Sequence, residues 1–304
     1  MTVLVTGISG YVGSLVAQRL AAGGHDVRGF ARHARRVALG VPVIEGDAVT
    51  GNGLREAMAG VEVAYYLIHS METAVGADPF ASRENVAAQR FAAAAQEAGV
   101  RRIVYLGGPV PPGPPSPHLK SRLAVERVLL DAVPDSVALR ASIVIGARSR
   151  SFRFLVRLIE RMPVLAVPAW GANRTAPIDE RDVLQMLVRL ADAPLAGERA
   201  LEAAGPDVVS YRELLARIAD LMLVGRPTVG LGRLSLTPIA SRVAAVVAGE
   251  DPALIEPLME SLESDLLPGR SDAAQALTVR LHSLDAAIEH ALADWEQTEP
   301  LSAR

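Results

Sequence analysis

Met1-Thr-Val-Leu-Val-Thr6-Gly7-Ile-Ser9-Gly10-Tyr11-Val12-Gly13-Ser14 is the stretch on which the reading of the whole chain turns. A short apolar strand runs directly into three glycines, each three residues after the last. In such a turn the first glycine serves the tight bend, the second lets a pyrophosphate approach the backbone, and the third lets the next helix lie close to the sheet. A helix over Tyr11–Ala22 follows, apolar at Val12, Leu15, Val16 and Leu20, and Gly23-Gly24 leads to a second strand, Asp26–Phe30. Strand, glycine turn, helix and second strand together form the context that a dinucleotide-binding turn requires. The helix start supplies free N–H groups and the positive end of the helix dipole to the anion. The expected cofactor contacts are therefore Thr6, Gly7, Ser9, Gly10, Tyr11, Val12 and Gly13.

The second strand ends in Gly29-Phe30-Ala31-Arg32, with His33, Arg35 and Arg36 just beyond. A NAD site usually has a carboxylate at this corner to hold the ribose 2′-hydroxyl. Here the first carboxylate is Glu45. Arg32 is either a solvated loop residue or the partner of a 2′-phosphate, for which a planar guanidinium is well shaped. The pattern favours NADP(H) over NAD(H).

The chain has 304 residues, half of them apolar, enough for an α/β domain with a sizeable core and a smaller second lobe. No uninterrupted apolar run approaches the ~20 residues that span a bilayer, and Met1 leads into the first strand without a signal segment. Cysteine is absent, which excludes disulfides and thiolate chemistry and agrees with a cytoplasmic location. A net charge of −3 gives no basic field for nucleic acid. No His-x-x-x-His or clustered carboxylate spacing points to a metal.

Alternating strands and helices predict a Rossmann-type, doubly wound parallel sheet. The expected strands are Pro42–Glu45, Val61–Ile68, Arg102–Leu106 and Ser136–Ile145. The intervening helices are Asn52–Ala59, Phe80–Ala98 and Pro117–Ala132, the last capped by Ser116. The cofactor domain is expected over residues 1–146. A smaller α+β substrate lobe follows over 147–304, with the possibility that the chain crosses between lobes more than once. Helices are expected there at Ser151–Arg161, Asp179–Ala191 and Ser210–Leu223. Ligands of such sheets lie beyond the carboxyl ends of the strands, which brings in Leu67, His69 and Gly107. Phe152 and Trp170 are candidates for an apolar substrate pocket, with core packing as the alternative. Arg140, Asp179 and Asp182 read as an ion-pair and capping network.

Thr6-Gly7-x-x-Gly10-x-x-Gly13, Val63–Met71, Tyr105–Gly108, His118–Glu126 and Trp170–Ile178 together resemble the atypical short-chain dehydrogenase/reductases. The similarity is to the NmrA-like, NAD(P)H-binding subgroup of YbjT type. It extends over essentially the full chain and is weakest in the last 80 residues. The resemblance implies an NAD(P)(H) site and places Asp47 where an adenine amino group is contacted, although an ordinary turn residue fits there equally. The usual short-chain family places a catalytic Tyr-x-x-x-Lys at the start of the Pro117–Ala132 helix, the subgroup this chain resembles often lacks that tyrosine, and here the sequence departs from the pattern. Those positions hold His118 and Arg122, and the polarising Ser after the fifth strand is replaced by Gly107 or Gly108. Arg122 can grip a ribose, and His118 can give a proton to a carbonyl as hydride arrives. Two functions stand foremost, ahead of a structural assembly factor that keeps the nucleotide only for stability. One is an NADPH-dependent oxidoreductase acting on a small apolar carbonyl, quinone or activated alkene. The other is an NADP(H)-sensing protein with little turnover that presents its surface to a protein partner.

Overall fold

The computed structural model describes residues 1–68, 77–195, 197–230, 262–269 and 272–301. Its centre is a seven-stranded, wholly parallel sheet. In chain order its strands are β1 (Thr2–Thr6), β2 (Asp26–Ala31), β3 (Val43–Glu45), β4 (Val63–Tyr66), β5 (Arg102–Gly107), β6 (Val137–Ala141) and β11 (Ala200–Ala203). In space they run β11-β6-β5-β4-β1-β2-β3. The strand order reverses beside β1, and in sheets of this kind a nucleotide lies across that switch point.

Helices cover both faces. On one face Val3, Val5, Tyr65, Val104 and Leu139 pack against α1 (Tyr11–Ala22) and α6 (Glu180–Arg189). On the other, Leu4, Tyr66, Ile103 and Tyr105 pack against α2 (Leu54–Met58), α3 (Ala77–Glu97) and α4 (Pro117–Ala132). This two-sided burial explains why the strands read as continuous apolar runs rather than as alternating ones. The Tyr65 hydroxyl donates to the Leu187 carbonyl at 2.7 Å, which satisfies its polar end within the core.

The strand expected over Ser136–Ile145 is in fact two. β6 stops at Ala141, the Ser142 amide turns to the Ala203 carbonyl, and Val144–Ile145 form a separate β7. β7 pairs with β10 (Ile178–Asp179) and leaves the main sheet. The reason is a change of partner: the Ser142 and Thr175 hydroxyls meet at 3.2 Å, and the Ile178 amide donates to the Ile143 carbonyl.

Beyond residue 146 the chain serves both parts of the molecule. α6 and β11 return to the first core. A second core forms from α5 (Arg150–Arg161), β8 (Leu165–Val167), α7 (Tyr211–Leu221) and α9 (Leu284–Glu296). The remaining described elements are β9 (Arg174–Thr175), β12 (Val209–Ser210), β13 (Thr228–Gly230) and α8 (Ala273–Ala276).

Candidate dinucleotide site

Gly7 has φ +67°, a conformation that side chains resist, and a Cβ there would also collide with the Leu67 carbonyl. A Cβ on Gly13 would strike the Gly7 carbonyl. The turn therefore brings β1, β4 and α1 closer than any larger residue permits. Gly10 caps α1 without a side chain, so the first-turn N–H groups keep no side-chain partner, and Ser9 and Gly10 are exposed. This is an anion cradle in the geometry expected of it. The buried Thr6 hydroxyl is used differently. It donates to the Tyr65 carbonyl at 2.9 Å and accepts from the Leu67 amide at 3.3 Å, stitching β1 to β4 beneath the cradle. Val12 is half-buried against the first core.

At the end of β2, Arg32 is exposed and has no partner among the described residues, and His33, Arg35 and Arg36 are exposed beside it. Glu45 is paired in register with Ala31, but its Oε2 accepts from the Ala34 amide at 2.9 Å. The one carboxylate at this corner is thus drawn into capping the short 3-10 turn Ala34–Arg36. Asp47 holds the following loop. Its Oδ1 accepts from the Val49 amide at 2.7 Å, while Oδ2 has no partner among the described residues. Both readings of Asp47 are compatible with that arrangement, one oxygen for the turn and one toward a ligand.

At the other end of the groove, α4 starts as expected, with the Leu119 amide donating to Ser116 Oγ at 3.3 Å and Pro117 in the first turn. His118 is half-buried, and its pKa is pushed down to about 4, first by burial and then by the Arg122 charge. At neutral pH it is an uncharged imidazole. Arg122 donates to the Leu106 carbonyl at 2.7 Å and lies 5.9 Å from the centre of the Tyr105 ring. A Cβ on Gly108 would meet Leu119 Cδ2 at 3.3 Å and Arg122 Nε at 3.5 Å. The missing serine and the arginine therefore belong together: Arg122 fills space that a side chain at 108 would share. Gly107 faces Glu126 and the Arg140 stem. His69 lies outside the described residues.

Arg140 does not join Asp179 and Asp182. From β6 it binds the buried Glu126 of α4 at 2.6 Å and Glu202 of β11 at 3.2 Å. Asp179 instead holds Arg181, and the fully buried Asp182 holds His282 Nδ1 at 2.6 Å. These pairings depend on which face of the sheet each residue occupies. Arg140 looks toward α4, whereas α6 covers the opposite face.

A cavity of about 580 Å³ lies against Arg140 and Glu202, walled by Val110 and Pro112 from the loop after β5 and by Arg174 and Asp265. Arg174 and Asp265 are themselves paired at 2.9 Å. The cavity is lined by two arginines and two carboxylates among apolar residues, and it involves neither Phe152 nor Trp170, the candidates for the expected apolar pocket. Phe152 has no exposed surface and packs in the second core. Trp170 is partly buried against that core, edge-on to Tyr211 at 6.1 Å. An amphipathic helix and a proline-rich loop look alike whether their aromatics line a pocket or fill a core, and here they fill the core.

The structure also gathers groups that no sequence spacing displays. Glu180 opens α6, His290 and Asp294 lie one turn apart on α9, and their ligand atoms all fall within 4.8 Å of one another. Burial, and then Asp294, push the Glu180 carboxyl up to about 7, with Arg181 opposing.

A doubly wound sheet with a glycine cradle at its switch point is the arrangement in which dinucleotides bind. Residues 7–119 match a family model described as NAD(P)H-binding. A (4-alkanoyl-5-oxo-2,5-dihydrofuran-3-yl)methyl phosphate reductase of Streptomyces griseus is 27% identical over 86% of each chain. A 2-alkyl-3-oxoalkanoate reductase of Shewanella oneidensis is 30% identical, over 34% of this chain and only 28% of its own length. A solved short-chain dehydrogenase/reductase superfamily protein of Agrobacterium tumefaciens, with bound NAD, matches with TM-score 0.73 and 21% identity over 98% of both chains. At that identity the likeness shows the fold. Residues 7–119 are thus similar to NAD(P)H-binding proteins and the fold is shared with short-chain dehydrogenase/reductases, while His118 and Arg122 stand where the resemblance would place Tyr and Lys. Among the described residues no helix is long and apolar enough to cross a membrane.

Proposed function

We propose that this protein is an NADPH-dependent reductase of a small carbonyl, quinone or activated alkene. The observation that carries the cofactor choice is the corner after β2. Arg32 is exposed and without a partner among the described residues, while one oxygen of Glu45 is given to the Ala34 amide. A guanidinium in that position pairs with a 2′-phosphate, where a NAD site would usually present a carboxylate to the 2′-hydroxyl. The first turn of α1 would hold the pyrophosphate, and Asp47 Oδ2 would accept from the adenine amino group.

When bound, the reduced nicotinamide supplies the hydride. The chain's own part is to position and to polarise. Arg122, anchored on the Leu106 carbonyl, places a positive charge at the carboxyl end of β5. His118, neutral above pH 5, donates its remaining N–H to the substrate oxygen rather than delivering a surplus proton, so the proton that completes reduction comes from water. The cavity beside Arg140 and Glu202 receives the rest of the substrate. Both curated relatives are named as reductases, which supports this class of reaction.

The second reading, an NADP(H) sensor, is favoured by that same low His118 pKa together with the missing Tyr and Lys, since among the described residues no strong proton donor stands at the site. One experiment separates the two. The purified protein is titrated with NADPH and NADH by nicotinamide fluorescence, and aldehydes and quinones are then added to the NADPH complex. Tighter NADPH binding with oxidation establishes the reductase. Tight binding without oxidation favours the sensor, and equal affinities for the two nucleotides defeat the role given to Arg32.

A further inference from the structure

We infer that Glu180, His290 and Asp294 form a binding site for one borderline divalent cation, of the zinc or cobalt kind, where α6, α9 and the first turn of α1 meet. His290 and Asp294 stand at i and i+4 of α9, hence on one face, with Nε2 and Oδ2 3.8 Å apart. Glu180 enters from the first residue of α6, and all three ligand atoms lie within 4.8 Å of one another. Metal–ligand bonds of about 2.0–2.2 Å need ligand atoms roughly 3–4 Å apart, which small side-chain rotations reach here. One imidazole and two carboxylates form a donor set of intermediate softness, suited to zinc or cobalt rather than to calcium.

Two further observations point to a missing group. Glu180 Oε2 is buried and has no hydrogen-bond partner, and so is the Tyr11 hydroxyl. Both atoms crowd the same side of Gly146, where a Cβ would collide with each. Orphaned buried oxygens are costly, and two facing one spot call for something that binds oxygen. The nearby cations are already committed. Arg181 is held by both oxygens of Asp179, and Arg148 lies 5.6 Å from the centre of the Tyr11 ring. A cation here would tie the last described helix to the first residue of α6. Ligands drawn from positions 180 and 290–294 come together only through the tertiary fold.

The test is calorimetric titration of the full, chelator-treated chain with zinc chloride. It is paired with the visible absorption of the cobalt complex, which reads coordination directly. The expected result is one equivalent bound with micromolar affinity. Asp294→Asn and His290→Gln should each weaken it at least tenfold and alter the cobalt spectrum. His25→Gln, which removes an ordinary surface His–Asp contact, should leave it unchanged. Thermal melts of each variant confirm that it is folded, and Glu180→Asp provides a milder second disruption. No binding below millimolar metal overturns the inference. So does binding equally tight in the Asp294→Asn and His290→Gln proteins, which would mark an adventitious surface site.

Discussion

Two arginine-rich regions of this molecule use the same side chain in opposite ways. At the end of β2, Arg32 stands exposed beside Arg35 and Arg36 with no partner among the described residues. At the β5–β6–β11 edge, Arg140 is clasped between Glu126 and Glu202. An uncompensated guanidinium at a strand end is available to an anion. A guanidinium already shared by two carboxylates holds a helix and an edge strand to the sheet. A count of charges along the sequence cannot separate these cases, because the difference lies in what each arginine faces. The lesson extends to Arg122, whose bond to the Leu106 carbonyl places it between the two extremes.

The comparison is best broken first at the cradle. Gly13→Val should abolish NADPH binding in a fluorescence titration and sharply lower the melting temperature, because its Cβ has nowhere to go but into the Gly7 carbonyl. At the edge, Glu126→Ala strips the principal partner from a partly buried Arg140. It should cost about 3–5 kcal/mol in urea denaturation while leaving the NADPH-over-NADH preference intact. Arg32→Ala should do the reverse. Removing one exposed, charge-assisted contact should weaken NADPH roughly tenfold, leave NADH affinity unchanged and leave stability within about 0.5 kcal/mol.

His118 adds a pH test. Its folded pKa is about 4, below the ordinary 6.5, so between those values the unfolded chain takes up a proton that the folded chain refuses. This group therefore makes stability rise as pH climbs from 4 to 6.5 and adds no slope above that. His118→Phe should flatten that part of the stability profile, abolish any turnover and leave cofactor affinity unchanged; full activity in the variant would remove His118 from the mechanism. A last stability test is Thr6→Val. It deletes the hydroxyl stitch between β1 and β4 and should cost about 1–3 kcal/mol by denaturation, since two buried groups lose their partner.

The cofactor half was legible because its determinants are local. Gly7, Gly10 and Gly13 act within one turn, Ser116 caps the helix it precedes, and a run such as Val3-Leu4-Val5 declares a strand buried on both faces. Less of the substrate side was legible. Phe152 carries the same apolar signal whether it lines a pocket or fills the second core, and only its zero exposure decides. The break at Ser142 was invisible, since Ser136–Ile145 is uniformly strand-like and the change of partner depends on Thr175 and Ile178. Glu202, which completes the grip on Arg140, lies 62 residues further along the chain, and no local spacing links the two.

The amino-acid sequence alone determined the parallel sheet, the glycine cradle, the basic corner after β2 and the replacement of Tyr and Lys by His118 and Arg122. These follow from periodicity and from the stereochemistry of residues within a few positions of one another. Tertiary structure alone decided which arginines are spent, that Glu45 caps a neighbouring turn, that His118 is uncharged at neutral pH, and that Glu180 meets His290 and Asp294. Each of these depends on groups brought together from distant parts of the chain or on how deeply a side chain is buried, and no local spacing encodes that.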